Sequence, residues 1–185
     1  MVNDTLESMS REAIEEYLAV SYHCITTRKP NGGAYGYPAV LLLFSIVDAL
    51  SSYAGYAEHS FGALGDMFPE LSETHITHLK NWFRNLPAHQ AIIMPGTAIS
   101  VELPGDAIEL NAAGEPTHIR LLPFWESVAN YWRTKGVANV APSFRQEKAP
   151  KAPTIIVVQD AAAISTHGPA ASGVYVSMRP STQKD

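Results

Sequence analysis

Apolar side chains recur every three or four positions through the first half of the chain, which is the spacing of one helical face. This pattern predicts a helix that begins at Ser10, a plausible cap, and ends at Lys29, because Pro30 cannot continue it. From Ala39 to about Tyr56 the chain is apolar nearly all round. We therefore expect a second helix that is buried at the centre of the protein.

Two further helices are predicted along the rest of the chain. Ser72 is a plausible cap for a third helix, and its apolar face continues for about four turns. Pro87 removes a backbone donor and crowds the preceding turn, so this helix is expected to kink or stop within residues 83–86. A last helix should start at Pro123 and be closed by Gly136.

Between these helices the period changes from helical to alternating. Residues 97–103, 107–110 and 117–121 read as short strands, separated by turns rich in glycine and proline. Short strands that follow one another through tight turns commonly pair with their sequence neighbours. We therefore expect a small antiparallel β-meander inserted into a mainly α-helical protein.

The composition shifts after residue 136, where prolines recur among Ala, Ser and Lys. This shift predicts a helical domain at 1–136, with the β insert at about 97–121, and a Pro/Ala-rich C-terminal arm at 137–185. Two fragments of the arm, Thr154–Val158 and Gly173–Ser177, could form strands. The arm either packs on the helices or on a partner chain, or is an irregular tail.

Composition limits the class of protein. The chain has 185 residues, 46% of them hydrophobic, and one cysteine, Cys24, which cannot form an intrachain disulfide. The acidic N-terminus is unlike a signal peptide, and the most apolar run, 39–47, is shorter than a membrane span. We expect a cytoplasmic protein with no membrane association. The net charge of −5 argues against a bulk nucleic-acid binder, but it leaves room for an RNA-cutting enzyme with one cationic pocket.

Candidate chemistry lies at the end of the third predicted helix. Arg84 is followed directly by Asn85, and four residues separate Arg84 from His89. An arginine can hold a phosphate through two hydrogen bonds, and a histidine can move a proton near neutral pH. This Arg-Asn-x3-His pattern at a helix end resembles the motif of the HEPN superfamily, small helical domains that include metal-independent ribonucleases. The resemblance covers roughly residues 10–136, apart from the β insert.

The resemblance implies a HEPN-like helical bundle that acts as a homodimer, with two motifs meeting in one cleft and RNA as a partner. His89 would be the general base on a ribose 2′-hydroxyl, and Arg84 would stabilise the charge of the phosphorane. Asn85 would position the phosphate or His89. An endoribonuclease of this kind needs no cofactor, leaves 2′,3′-cyclic phosphate ends and belongs to toxin or defence systems.

Asp48 lies in the otherwise apolar second helix, where a buried carboxylate needs a partner. It could orient Arg84 or His89, or it could face a donor of a neighbouring helix or the solvent edge. Arg84 could also pair with Asp48 or Glu73, and His89 could cap a helix end, with no catalysis. The protein would then be a non-catalytic helical interaction module that binds a protein partner through its C-terminal arm.

A metal site is the third alternative. His75 and His78 are three positions apart, share one helix face and could bind a metal together with His89 or Glu73. A firm zinc site needs three or four ligands, and two surface histidines are the simpler interpretation.

Overall fold

The computed structural model describes residues 5–101 and 104–140. The elements in chain order are α1 (Leu6–Thr26), α2 (Gly36–Tyr53), α3 (Ala63–Met67), α4 (Glu73–Leu79), α5 (Leu86–Gln90), β1 (Ala98–Ser100), β2 (Ile108–Leu110), β3 (Pro116–Arg120) and α6 (Leu121–Tyr131). Two π-helical segments extend helices: Lys80–Asn85 joins α4 to α5, and Trp132–Gly136 follows α6. The prediction of a mainly helical protein with a small sheet is confirmed.

α1 begins earlier than the sequence pattern indicated. Thr5 is the cap, because its hydroxyl accepts a hydrogen bond from the Ser8 backbone N–H while the Ser8 side chain bonds back to Thr5. Ser10 lies inside the helix. Several hydroxyl residues precede the apolar repeat, and the reciprocal bonds between Thr5 and Ser8 satisfy the helix end better than one cap at Ser10 would.

α2 is the central helix that the sequence predicted. Its buried residues lie on one broad face of the helix, rather than all round it: Ala39, Val40, Leu43, Phe44, Ile46, Val47, Leu50 and Ser51. The Ser51 hydroxyl donates to the Val47 carbonyl and accepts from the Ala63 N–H at 3.0 Å, which fixes the start of α3 against α2. By length and composition α2 is also the one helix of the described residues that could cross a membrane, although it packs as a core helix here.

The helix that carries the candidate motif does not stop at residues 83–86. Ser72 caps it as predicted, and helical backbone then runs from α4 through the π-helical segment into α5. Leu86 N–H donates to the Asn81 carbonyl, one residue further back than in an α-helix. Pro87, which has no N–H to donate, follows at the start of α5. The widened turn accommodates the proline, so of the two predicted outcomes, a kink or a stop, the stop does not occur.

The sheet is not a meander. Its strand order is β1-β3-β2, with β3 antiparallel to β2 but parallel to β1. The antiparallel pair follows from the tight turn after β2, where Asn111 N–H donates to the Glu115 carbonyl. No turn residue specifies where β1 docks. β3 is the longest strand, and its central place buries Ile119 completely and leaves the shorter strands at the edges.

The last helix also differs from its prediction at both ends. α6 starts at Leu121 directly after β3, so Pro123 sits inside the first turn, and helical backbone continues past Gly136 to residue 140. Gly136 is required by packing, since a Cβ there would lie 2.6 Å from Trp132 and 2.7 Å from Leu50. The rest of the predicted arm, with the strand candidates at 154–158 and 173–177, lies outside the described residues.

Candidate functional site

Arg84 lies near the end of the π-helical segment and is half-buried. Its Nη1 donates to Asn85 Oδ1 at 3.0 Å, and Asn85 Nδ2 donates to Asn81 Oδ1 at 3.0 Å. Neighbouring side chains therefore orient the guanidinium through a chain of amides. Arg84 forms no ion pair with any residue that the structure describes, Glu73 and Asp48 included. Most of its five N–H donors remain available to an anion.

His89 lies near the end of α5 and is exposed to solvent. Within the described residues it makes no hydrogen bond, and the helix ends two residues later at Ala91, whose φ of 56° is left-handed. Its imidazole is free to exchange a proton with a bound molecule. Structure and motif agree only in part: Arg84 and Asn85 are in contact, and no hydrogen bond links His89 to either.

Asp48 has a different partner from the one proposed for it. Its Oδ2 lies 3.1 Å from His59 Nδ1, and the His59 carbonyl accepts a hydrogen bond of 2.8 Å from Lys80 Nζ. The described contacts of Asp48 include neither Arg84 nor His89. Asp48 thus anchors the loop before α3, and that loop in turn holds Lys80, one turn before Arg84. The contact of His59 with Asp48 was not predicted from the sequence, because a loop residue has no helical spacing that would indicate its neighbours.

The two other histidines of this helix have separate structural roles. His75 Nδ1 accepts from the Ser72 N–H at 3.2 Å and so completes the helix cap. His78 stacks on Trp82, with ring centroids 4.4 Å apart and an interplanar angle of 11°. In the ranges 5–101 and 104–140 no group of three metal-ligating side chains is placed to hold a metal. The structure supplies no third ligand beside these two histidines.

The segment that carries the motif is locally cationic. No Asp or Glu occurs from residue 74 to residue 101, while Lys80, Arg84 and three histidines do. The chain as a whole carries a net charge of −5. Lys80 binds the carbonyl of His59, whose ring contacts Asp48 and Glu58, so Arg84 is the cation of this segment that has no carboxylate near its partners within the described residues.

A second set of polar side chains, which the sequence interpretation missed, lies on the outward face of the sheet. His118 on β3 contacts Ser100 on β1 and Glu109 on β2, and Arg120 also contacts Glu109. Alternation along each strand is the signal that these residues share a face. It could not reveal the contact between Ser100 and His118, because a meander would have placed β1 beside β2.

A tyrosine pair tied to one carboxylate connects α3 with α6. Tyr131 Oη donates to Asp66 Oδ2 at 2.7 Å, and Tyr56 Oη donates to Asp66 Oδ1 at 2.9 Å. Burial and the bond to Asp66 raise the pKa of Tyr131 far above its ordinary value, and the bond to Asp66 also raises the pKa of Tyr56. Both phenols therefore keep their protons at physiological pH and act as donors.

No protein-family model, no curated protein and no solved structure matches the chain. The resemblance to HEPN proteins therefore stays a prediction from the sequence, based on Arg84, Asn85 and His89.

Proposed function

We propose that the protein is a HEPN-like, metal-independent endoribonuclease that acts as a homodimer in the cytoplasm. One observation carries the proposal. Arg84 is oriented by Asn85, has no carboxylate partner among the described residues and lies in a 28-residue stretch without acidic side chains. A guanidinium held in this way is suited to a phosphate, because its planar donors match two phosphate oxygens.

The proposed chemistry uses two histidines and one arginine. His89 of one chain takes the proton of a ribose 2′-hydroxyl, whose oxygen then attacks the adjacent phosphorus. Arg84 stabilises the negative charge of the phosphorane. A second, protonated His89 gives its proton to the departing 5′-oxygen as the P–O bond breaks. The products are a 2′,3′-cyclic phosphate and a free 5′-hydroxyl, and no proton is gained or lost overall.

The need for two chains follows from the hydrogen bonds of the two side chains. A π-helical turn lies between the regular helices on either side of Arg84, and within the described residues no hydrogen bond joins His89 to Arg84. A second copy could bring its own His89 to this guanidinium. Ile92, a large apolar side chain that is 45% exposed, lies three residues past His89 and offers a surface for such a copy.

The first test is RNA cleavage in the presence of a chelator. We expect His89→Ala to slow cleavage by about 100-fold or more, because general acid–base catalysis contributes on that scale. His23→Ala is the matched control, since His23 is also exposed and lies on α1 away from the motif. Equal, chelator-resistant cleavage by wild type, His89→Ala and His23→Ala would sink the proposal.

The second candidate function is a non-catalytic interaction module. α1 favours it, because large apolar side chains stay exposed on one face of this helix: Leu6, Met9, Tyr17 and Val20. A protein partner, held together with the C-terminal arm, would cover such a stripe. Removal of residues 141–185 and the double change Tyr17→Ser/Val20→Ser should then each reduce association in size exclusion with light scattering. Unchanged elution of both variants would exclude this function.

A further inference from the structure

Three strands bring a serine, a histidine and a carboxylate into one hydrogen-bonded chain. Ser100 Oγ lies 2.7 Å from His118 Nε2, and His118 Nδ1 lies 3.3 Å from Glu109 Oε2. The three side chains come from β1, β3 and β2 in spatial order. A serine on one imidazole nitrogen and a carboxylate on the other is the arrangement in which a hydroxyl is activated as a nucleophile.

The carboxylate end of this chain is held in place from the far side. Arg120 Nη2 donates to the same Glu109 oxygen at 2.8 Å, and Arg120 Nη1 donates to the Asp106 carbonyl at 2.9 Å. His118 is 19% exposed, whereas Glu109 is 51% exposed. The histidine is thus sheltered and fixed on both ring nitrogens, with the carboxylate selecting the tautomer that leaves Nε2 free to accept the serine proton.

Ser100 also lines a cleft of about 570 Å³, on the side of β1 that no other strand of the described residues covers. The cleft is further lined by Arg28, Gly36, Ile99, Val101 and Leu121. Gly36 begins α2, and a Cβ at Gly36 would lie 3.2 Å from the Ile99 side chain, so glycine lets the start of α2 pack closely against β1.

We propose that Ser100, His118 and Glu109 form a second active site, which hydrolyses small esters that carry a negative charge. The lining of the cleft accounts for this substrate class, because Arg28 is its one charged side chain among the described residues. Arg28 is exposed and has no ion pair within the described residues, so it is available to an anionic substituent.

Each step balances in protons and electron pairs. Ser100 Oγ bonds to the ester carbonyl carbon while its proton passes to His118 Nε2. The oxyanion then collapses, the bond to the leaving oxygen breaks, and that oxygen takes the proton from His118. Water adds to the acyl-serine with His118 again as base, and Ser100 regains its proton as the acid leaves. The first-turn N–H groups of α2, at Gly36, are the oxyanion donors on this cleft.

The experiment combines covalent labelling with two ester substrates. Full-length protein is treated with a fluorophosphonate and weighed by mass spectrometry, and its hydrolysis of p-nitrophenyl acetate and of mono-p-nitrophenyl succinate is measured. We expect one label on the wild type and on Ser45→Ala, the control, whose exposed hydroxyl bonds only to the Leu41 carbonyl. Ser100→Ala should take no label, and His118→Gln should hydrolyse both esters at least about 100-fold more slowly.

Two further variants separate catalysis from structure. Arg28→Ala should raise KM for the succinate ester and leave KM for the acetate ester unchanged. Glu109→Gln should lower kcat at unchanged KM, because Glu109 acts through His118.

A wild-type protein that takes no label, or equal hydrolysis by wild type and Ser100→Ala, would overturn the proposal. So would a Glu109→Gln protein that melts earlier with unaltered kcat, since the network would then serve only the sheet. RNA cleavage by Ser100→Ala should equal that of the wild type, so the two proposed activities fail independently.

Discussion

The helical segment 80–90 and the outward face of the sheet each present a histidine beside hydrogen-bonding side chains, yet they assemble their groups differently. In the helical segment Arg84 and Asn85 are sequence neighbours, and His89 remains apart from them in the single chain. On the sheet His118 meets Ser100 and Glu109, which are distant in sequence. The first region can be recognised as a motif in the sequence, but hydrogen bonds do not join all of its side chains. In the second region hydrogen bonds join all three side chains, but no motif in the sequence indicates them.

The largest expected effect on stability comes from removing the buried anchor of each region. Phe83 lies in the π-helical segment and Ile119 on β3, and both are fully buried. We expect Phe83→Ala to lower the free energy of unfolding by about 3–5 kcal/mol and Ile119→Ala by about 2–5 kcal/mol, the usual costs of such cavities. Urea denaturation measures both. A loss below about 1 kcal/mol for either variant would show that its region does not depend on the common core.

A smaller effect, on activity more than on stability, is expected at Pro87. Pro87→Ala restores a backbone N–H where the π-helical segment meets α5, so the turn can relax and move His89 relative to Arg84. We expect the free energy of unfolding to stay within about 1 kcal/mol and RNA cleavage to fall about 100-fold, since small displacements of reacting groups cost that much. Pro123→Ala, in the first turn of α6, is the matched control. Unaltered cleavage by Pro87→Ala would mean that the π-helical turn does not aim the motif.

The smallest effect concerns Tyr131, which lies outside both regions and joins α6 to Asp66 on α3. The pKa of Tyr131 is raised in the folded protein, so its contribution to stability is complete below the ordinary tyrosine pKa of about 10 and is lost as pH rises above it. Tyr131→Phe should cost about 1–2 kcal/mol at pH 7 and should weaken the alkaline decline in stability. Tyr37→Phe, at an exposed position, is the control. An identical decline in wild type and Tyr131→Phe would contradict this assignment.

The sequence correctly predicted those features of the fold that depend on residues close together in the chain. Ser72 caps α4 because its hydroxyl reaches an N–H three residues on, and the unbroken apolar run of α2 can only be buried. Pro87 was correctly predicted to disturb the helix, but the kind of disturbance was not predicted. A proline removes one backbone donor, and the conformation of the preceding turn decides how the helix accommodates that loss. Gly136 was misread for a similar reason, since its role depends on Trp132 and Leu50 packed against it.

The sheet could not be predicted beyond its antiparallel pair. Asn111 and the turn after it dictate that β2 folds back on β3, whereas the docking of β1 is decided by the burial of Ile119. Ser100 and His118 meet only because of that docking. For the candidate site, the residues of the helical motif stay a prediction from their resemblance to a family motif. The contact of Asp48 with His59 depends on a loop that carries no periodic signal.

The central claim is that Arg84 and His89 act together across two chains, and a complementation measurement tests it most directly. Arg84→Ala and His89→Ala are purified separately, mixed in equal amounts under conditions that exchange subunits, and assayed for RNA cleavage with a chelator present. Each variant alone should be inactive, because one lacks both Arg84 side chains and the other lacks both His89 bases. The mixture should recover a small part of the wild-type rate, because a mixed dimer holds one intact Arg84 opposite one intact His89 as base, while water replaces the second His89 in giving a proton to the departing 5′-oxygen. A mixture as inactive as its components, in a sample shown to contain mixed dimers, would contradict the account.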